Sequence, residues 1–522
     1  MSDTQWPRSP DGKNPNVAVN VINHLNREFI DKGVKFVVQV GDLTDNGSNR
    51  SLDIRATFSQ ALYNAGIGFY ALRGNHEPSQ AAAVEFQRVF PQTQTGVNNQ
   101  TPLEALVADT MYGPQANTNK PFTVGSKFDS HAGFAGLTYS FDYGNARFVL
   151  LDQFTPPSGA SHSVLDAAQV KWVGGRLSDS NRPQHAFVFG HEHLISENHV
   201  GTLFGNNPSA NPSNLQNIFM ASLSDNGVRY YIGGHDHMHN RAIVTSPDGH
   251  SKVQNIILAS DSYKFYIPQN PSNDAQYNIP ANGITSGPRE MEIAQELFTV
   301  GYYIVTVDGP RATVDYYASP NGCNGDCDET NDVIPYAFTR RESFGYSLNG
   351  KEFPVAQGQP YMTVQDNFSG TAARVLSGSN GSRAADYVGR GFTKTVDTGW
   401  TPKTAGSAKT DVNTASEILS LWGMADLGRA DTDVFTLSLT YDVEKSRSVP
   451  LDQGLFGLAT RDAGGNWINA VDKNTGGARK FVLGAWNPSY RLGAYGIDTA
   501  THTAWAVINY NGDFAVGEFK QK

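Results

Sequence analysis

Val34-Lys35-Phe36-Val37-Val38-Gln39-Val40-Gly41-Asp42-Leu43-Thr44-Asp45 decides how this chain folds. The β-branched run from Val34 to Val40 has the pattern of a buried strand. Gly41 lets the backbone turn sharply, so that Asp42 is delivered at the strand end. The same grammar recurs on both sides. Upstream, Val17, Val21, Leu25 and Phe29 recur every fourth residue, one face of a helix that Gly33 ends. Downstream, residues 51–65 read as helical and Ile67 to Leu72 as the next strand, which runs into Gly74-Asn75-His76-Glu77. This βαβ rhythm predicts a sheet with covering helices.

Residues 90–135 break the rhythm, being rich in Asn, Gln, Thr, Pro and Gly. They read as an insertion at the edge of the sheet, where loops at strand ends shape specificity, and 200–227 reads as a second such region. The core then resumes with a hairpin from Tyr139 to Asp152 around Gly144-Asn145, a helix over 166–177, and strands at Ala186 to Phe189 and Tyr230 to Ile232. Arg241 to Val244 and Val253 to Leu258 flank the turn Ser246-Pro247-Asp248-Gly249. Tyr302 to Val307 and Ala312 to Tyr317 flank Asp308-Gly309. Three regions follow: an α/β domain over 1–318, a linker over 319–355 and a β-rich domain over 356–522. In the last, Phe435, Leu437, Leu439, Tyr441 and Val443 alternate with polar residues, and Trp505 to Tyr510 with Phe514 to Phe519 reads as a terminal hairpin around Asn511-Gly512. This predicts a β-sandwich-like second domain.

Five clusters carry chemistry: Asp3-Thr4-Gln5, Gly41-Asp42, Gly74-Asn75-His76-Glu77, Gly190-His191-Glu192-His193 and Gly234-His235-Asp236-His237. Four follow a predicted strand, and Asp3 begins where a strand ought to end. In open α/β sheets the carboxyl ends of strands border one crevice, so the clusters are expected to meet. Carboxylate, amide and imidazole donors together suit Mn, Fe, Zn or Co better than Ca or Mg.

These motifs resemble the calcineurin-like metallophosphoesterase superfamily over residues 1–318. Gly41-Asp42-Leu43-Thr44-Asp45, Gly74-Asn75-His76-Glu77, Gly190-His191 and Gly234-His235-Asp236-His237 match its pattern closely. Two positions depart from it. Gln5 stands where the family has a His, similar to some nucleotide-cleaving branches. Asp45 stands where purple acid phosphatases carry a Tyr, which argues against that branch. The resemblance implies an αββα sandwich of two mixed sheets, followed here by the all-β domain. It implies two divalent ions, one held by Asp3, Gln5, Asp42 and His237, the other by Asp42, Asn75, His191 and His235. Asp42 then bridges both, and two ions roughly 3.5–4 Å apart clamp an in-line displacement with a shared hydroxide as nucleophile. His76 is expected as general acid, oriented by Asp45. His193 reads equally as a site imidazole or a core partner, and Arg73 as a phosphate contact or a buried residue. His239 reads as a surface residue.

Composition sets the frame. The chain has 522 residues, 39% hydrophobic and 17% charged, with a net charge of −10. No Lys/Arg run is present, so a nucleic-acid backbone is not the expected partner; a small phosphorylated substrate is. No apolar run is long enough for a transmembrane helix. Cys323 and Cys327 are close enough to close a short disulfide loop, favoured over free thiols because no His or further Cys stands nearby to complete a zinc site. That bridge and the low charge density predict an extracytoplasmic protein, a signal peptide having been removed; the alternative is cytoplasmic. Two other functions compete: phosphotriester or phosphonate hydrolysis at the same site, and an inactive binding or adhesion protein. The complete ligand set argues against inactivity.

Overall fold

Val21, Ile22, Leu25 and Phe29 lie buried on one side of the helix Val19–Asp31, the spacing that turns a helix into one layer of a core. Gly33, at φ +63°, ends the turn that follows it. The computed structural model describes residues 1–6, 16–98, 120–125, 127–205, 213–269, 277–279, 287–320, 336–355, 365–378, 394–402, 414–423 and 434–519. Cys323, Cys327 and the acidic residues around them lie outside this set, as do residues 99–119 and 126 of the predicted insertion at 90–135. The chain divides into two compact units, one built on Met1–Ile304 with Tyr317–Thr339, the other on Val305–Tyr316, Arg340–Ala384 and Gly391–Lys522, as far as these are described.

The first unit holds two facing sheets. The larger is mixed and eight-stranded, in the order Glu290–Glu296, His239–Thr245, Lys252–Ile257, Tyr230–Gly233, His185–Gly190, Ala146–Leu151, Tyr139–Tyr143, Asp129–Ser130. Its centre is parallel: His185–Gly190 pairs with Ala146–Leu151 on one side and Tyr230–Gly233 on the other. The smaller sheet pairs Phe36–Val40 with Gly68–Leu72, also in parallel. Met1 runs beside it, its amine donating to the Val38 carbonyl and its carbonyl accepting from Val40 N. Asp3 therefore follows two residues tied to the small sheet by these backbone bonds and by Ser2 Oγ, which donates to the Val40 carbonyl. Aromatic rings join the two sheets, with the Phe36 ring centroid 5.6 Å from that of Phe141 and 5.0 Å from that of Phe148.

Helices cover the outer faces. Val170, Val173 and Leu177 of Ala167–Leu177 are buried, and Asp166 with Gln169 forms a capping box at its start. The helix Ser213–Asp225 corrects the reading of 200–227 as a specificity loop. Its Phe219, Met220 and Leu223 are fully buried in the same cluster as Val170 and Val173. Their spacing of one, three and four carries the helical signal, and each such side chain contributes roughly 1.5–3 kcal/mol on burial. This part of the region is a layer of the sandwich. Residues 51–65 form two helices, Asn49–Thr57 and Gln60–Ala65.

The second unit holds two six-stranded sheets. One runs Lys351–Val355, Lys394–Thr401, Ile418–Trp422, Gly512–Glu518, Phe456–Arg461, Trp467–Asn469; the other Gln365–Phe368, Thr371–Ser377, Phe435–Thr440, Thr503–Ile508, Ala494–Asp498, Lys480–Leu483. All pairs but one are antiparallel. The expected terminal hairpin is overturned here. Thr503–Ile508 and Gly512–Glu518 belong to different sheets, so Asn511 lies on a crossing between layers. Ala504, Ala506 and Ile508 from one strand, and Phe514 and Val516 from the other, meet in the core between them. Trp400 is 1% exposed and belongs to that core.

Candidate metal centre

Four of the predicted ligands stand on strained backbone. Asp3, Asp42, His235 and His237 all have positive φ, between 43° and 69°. Among the described residues only Asn16, Phe298, Ser369 and His502 are otherwise non-glycine at positive φ. Such conformations cost of order 1–3 kcal/mol and persist where the surroundings over-determine them. Here each tight turn aims a polar side chain back over a strand end. The glycines beside them do more than turn. A Cβ on Gly74 would overlap the Asp42 carboxylate, and one on Gly41 would enter the His191 ring. Room for ligands, not only a sharp bend, requires glycine there.

The side chains converge around Asp42, which is 1% exposed. Its Oδ2 accepts from Gln5 Nε2 at 3.0 Å, and its Oδ1 accepts from His76 N at 3.0 Å. His191 Nε2 lies 3.3 Å from Oδ1. Asn75 Oδ1 sits 3.0 Å from His191 Nε2 and 2.9 Å from His235 Nδ1. On the other side, His237 Nε2 lies 2.8 Å from Gln5 Nε2 and 3.5 Å from Asp3 Oδ1. Asp3 in turn accepts from the backbone N of His235 at 3.0 and 3.1 Å. The structure thus brings all seven predicted ligands together. Ligand atoms of Asp42, His191 and His235, and those of Asp3, Asp42 and His237, each lie within 4.8 Å of one another.

Two features fit this set to cations. The far nitrogens of two imidazoles are occupied: His191 Nδ1 by the Val40 carbonyl at 3.0 Å, His237 Nδ1 by the Lys264 carbonyl at 2.7 Å. Each carbonyl requires a donated proton, which leaves Nε2 as the nitrogen that can offer a lone pair inward, on His191 once a cation displaces its proton. Gln5 Oε1 is buried with no hydrogen-bond partner. A half-turn of that amide exchanges Oε1 with Nε2 and points the oxygen at the cluster, satisfying an otherwise costly orphan.

The charges of the site are strongly coupled. Burial works to raise the Asp42 carboxyl, but the His191 imidazole outweighs it and holds the carboxyl well below the usual range. Burial works to lower His191, but Asp42 overrides it and raises the ring to about 10. Burial raises Asp3 to about 7, and burial with the charge of Lys264 lowers His237 to about 3. A cation arriving between Asp42 and His191 would take the place of the His191 proton, so metal uptake releases protons.

His76 is held apart from this cluster. Its Nδ1 meets the Asp45 carbonyl at 2.6 Å, while the Asp45 carboxylate is farther away at 3.6 Å. The main chain, rather than the expected carboxylate, is the nearer orienting partner. His76 Nε2 faces the centre, 3.8 Å from Asp42 Oδ2, and the side chain is 21% exposed.

Around the cluster, two carboxylates fasten loops. Glu77 accepts from Leu43 N, Thr44 N, Thr44 Oγ1 and Gly74 N, tying the Asp42 and Asn75 loops together. Asp236 accepts from the backbone N of Glu197, Asn198 and His199, and from His199 Nδ1 at 2.6 Å. His193 is a core partner, its Nε2 bonded to the Gly234 carbonyl. His239 is fully buried, against the reading as a surface residue, because it opens an interior strand of the large sheet and bonds Tyr303 OH at 2.7 Å.

Arg73 is also buried. Its guanidinium grips both oxygens of Asp152 at 2.7 and 2.9 Å, and its other hydrogens go to the carbonyls of Glu77, Ser79 and Thr155. Neither side chain is exposed. Arg73→Met leaves Asp152 a buried unpaired charge, which is expected to cost about 3–5 kcal/mol. Urea unfolding checks this; a loss below about 1 kcal/mol would show that water or rearrangement compensates.

Sequence reasoning missed His199, Lys264 and Tyr266. The His199 ring lies 4.1 Å from His235 by centroid and 4.7 Å from Tyr266, which also packs 5.1 Å from His237. The rule that strand ends supply the site would have flagged Ser260 to Tyr266, the segment after Lys252–Ile257.

A profile of the family described as calcineurin-like phosphoesterase matches residues 1–239. No curated protein matches the chain. Similar solved structures include GAP50, the anchor in the inner membrane complex of Plasmodium, at 12% identity over 65% of this chain and 86% of that one, with TM-score 0.36. PhoD matches at 13% identity over 66% and 68%, with TM-score 0.40, and a dimetal phosphatase from Danio rerio at 16% over 60% and 93%, with TM-score 0.31. Residues 1–239, which hold all five motifs, are the part of the chain that matches the calcineurin-like phosphoesterase family.

Proposed function

We propose that this protein hydrolyses phosphate esters of small molecules, phosphomonoesters or phosphodiesters, at a centre of two divalent transition-metal ions (Mn, Fe, Zn or Co). One observation carries the proposal: two groups of inward-facing donors share the single carboxylate Asp42. Asp3, Gln5, Asp42 and His237 would hold one ion; Asp42, Asn75, His191 and His235 the other. Such a pair supplies Lewis acidity and lowers the pKa of water toward neutral.

The chain's own residues do the rest. Asp42 offers one oxygen to each side. Glu77 and Asp236 keep the loops in register, so the donors need little rearrangement. His76 keeps Nδ1–H on the Asp45 carbonyl, leaving Nε2 to give a proton to the departing oxygen. We further infer an extracytoplasmic setting from the low charge density and the spacing of Cys323 and Cys327. No helix among the described residues is long and apolar enough to cross a membrane.

The test is hydrolysis of a chromogenic monoester and its diester after chelation and return of Mn. Turnover lost on chelation and restored by metal is the expected result. No turnover of either ester by protein with metal bound would refute the proposal.

A further inference from the structure

We infer that Lys264 is the anion-binding residue of this site and selects substrates with a terminal, doubly charged phosphoryl group. This rests on the phosphoesterase reading above and deepens it. The segment after the strand Lys252–Ile257 turns across the centre, and His237 fixes it there: Ser260 Oγ at 3.2 Å and the Lys264 carbonyl at 2.7 Å both meet His237 Nδ1. Lys264 is thus placed by a ligand's own hydrogen bond, not by a mobile loop.

Its side chain is half-buried. The ammonium lies 5.6 Å from the Tyr266 ring centroid and bonds the Tyr266 hydroxyl. Tyr266 is itself wedged edge-on between His237, at 5.1 Å and 79°, and His199, at 4.7 Å and 89°. Tyr266 therefore keeps the ammonium beside a ring that packs against His237. Burial works to lower the Lys264 ammonium, but Tyr266, with Asp42 and Asp45 adding to it, outweighs burial and raises it. Among the described residues Lys264 forms no ion pair with a carboxylate.

A half-buried cation without a carboxylate partner, facing a centre that is to hold further cations, is unfavourable alone and favourable once an anion joins. The anion of a phosphoesterase is the substrate phosphoryl group. One fixed cation attracts a dianion twice as strongly as a monoanion at the same distance. A monoester with its second proton lost is a dianion; a diester carries one charge. Lys264 thus adds preference for the monoester.

The experiment uses the full-length chain loaded with Mn. Inorganic phosphate is titrated calorimetrically into the wild type, Lys264→Met and Lys264→Arg, with metal content measured on each. The monoester and diester of one chromogenic phenol are assayed alongside, at a pH where the monoester is a dianion. Lys264→Met is expected to bind phosphate about tenfold more weakly. It should lose about tenfold in kcat/KM for the monoester and at most about threefold for the diester, with unchanged metal content. Lys264→Arg should recover most of the phosphate affinity. Unchanged phosphate affinity in Lys264→Met, or equal losses on both esters, overturns the inference. If the wild type turned over neither ester, the phosphoesterase reading would fail, yet the phosphate titration would still decide whether Lys264 binds anions.

Discussion

Asp42→Asn is expected to strip the centre of metal and to lower phosphoester turnover by at least about a thousandfold, near 4 kcal/mol of barrier. The substitution is almost isosteric, so the effect isolates charge and lone pairs. Asp42 Oδ1 faces His191 Nε2 and the His76 amide, and Oδ2 faces Gln5 Nε2. An amide can keep only one of these sides as an acceptor. Its NH2 would point at a donor or at a cation, and it carries no negative charge to join two cations. The loss should fall on binding of both ions, because among the described residues no other carboxylate reaches both sides: Asp3 faces His237 and the His235 backbone. The metal-free fold should survive, since Asn75, Glu77 and the His76 amide still link the loops. Metal content by mass spectrometry and hydrolysis after Mn addition check this together. Two equivalents of metal and full activity in Asp42→Asn would remove Asp42 from the bridging role.

The αββα layers were largely visible in the chain because their signals are local. Val17, Val21, Leu25 and Phe29 repeat with helical period, and Val37 to Val40 followed by Gly41 reads as a strand end without reference to anything distant. The candidate cluster was visible for the same reason: Asp42, Asn75, His191, His235 and His237 each sit one to four residues past a strand, and parallel strands gather their carboxyl ends. What was missed depends on long-range contacts. His199 looks like any loop histidine until Asp236, 37 residues away, bonds its ring. Lys264 has no motif around it, and its position follows from a backbone carbonyl meeting His237. His239 sits in a polar-looking stretch, yet Tyr303 allows it to be buried. The strand pair at the C-terminus shows the same limit from the other side. Asn511-Gly512 signals a turn, but whether the two strands pair or cross to opposite sheets depends on which partners bury Phe514 and Ile508.

His76→Ala is expected to separate substrates by their leaving groups. The backbone N of His76 still donates to Asp42 Oδ1 in the variant, so the ligand geometry and metal content should be retained. What is lost is the ring whose Nδ1 is anchored on the Asp45 carbonyl and whose Nε2 turns toward the centre. An alkyl ester departs as a strongly basic alkoxide and needs a proton as the bond breaks. A nitrophenolate departs stable on its own. Positioned general acids contribute about 10²–10⁴-fold. The alkyl monoester should therefore lose at least about a hundredfold in kcat, and the nitrophenyl monoester no more than about threefold. Replacing Asp45 by Ala is a useful contrast, because its carbonyl remains in place. If the carbonyl is the partner that orients the ring, Asp45→Ala keeps most of the leaving-group discrimination. If the carboxylate is essential, Asp45→Ala behaves like His76→Ala. Equal losses on alkyl and nitrophenyl esters in His76→Ala would mean that the imidazole stabilises the phosphoryl group instead of protonating the leaving oxygen.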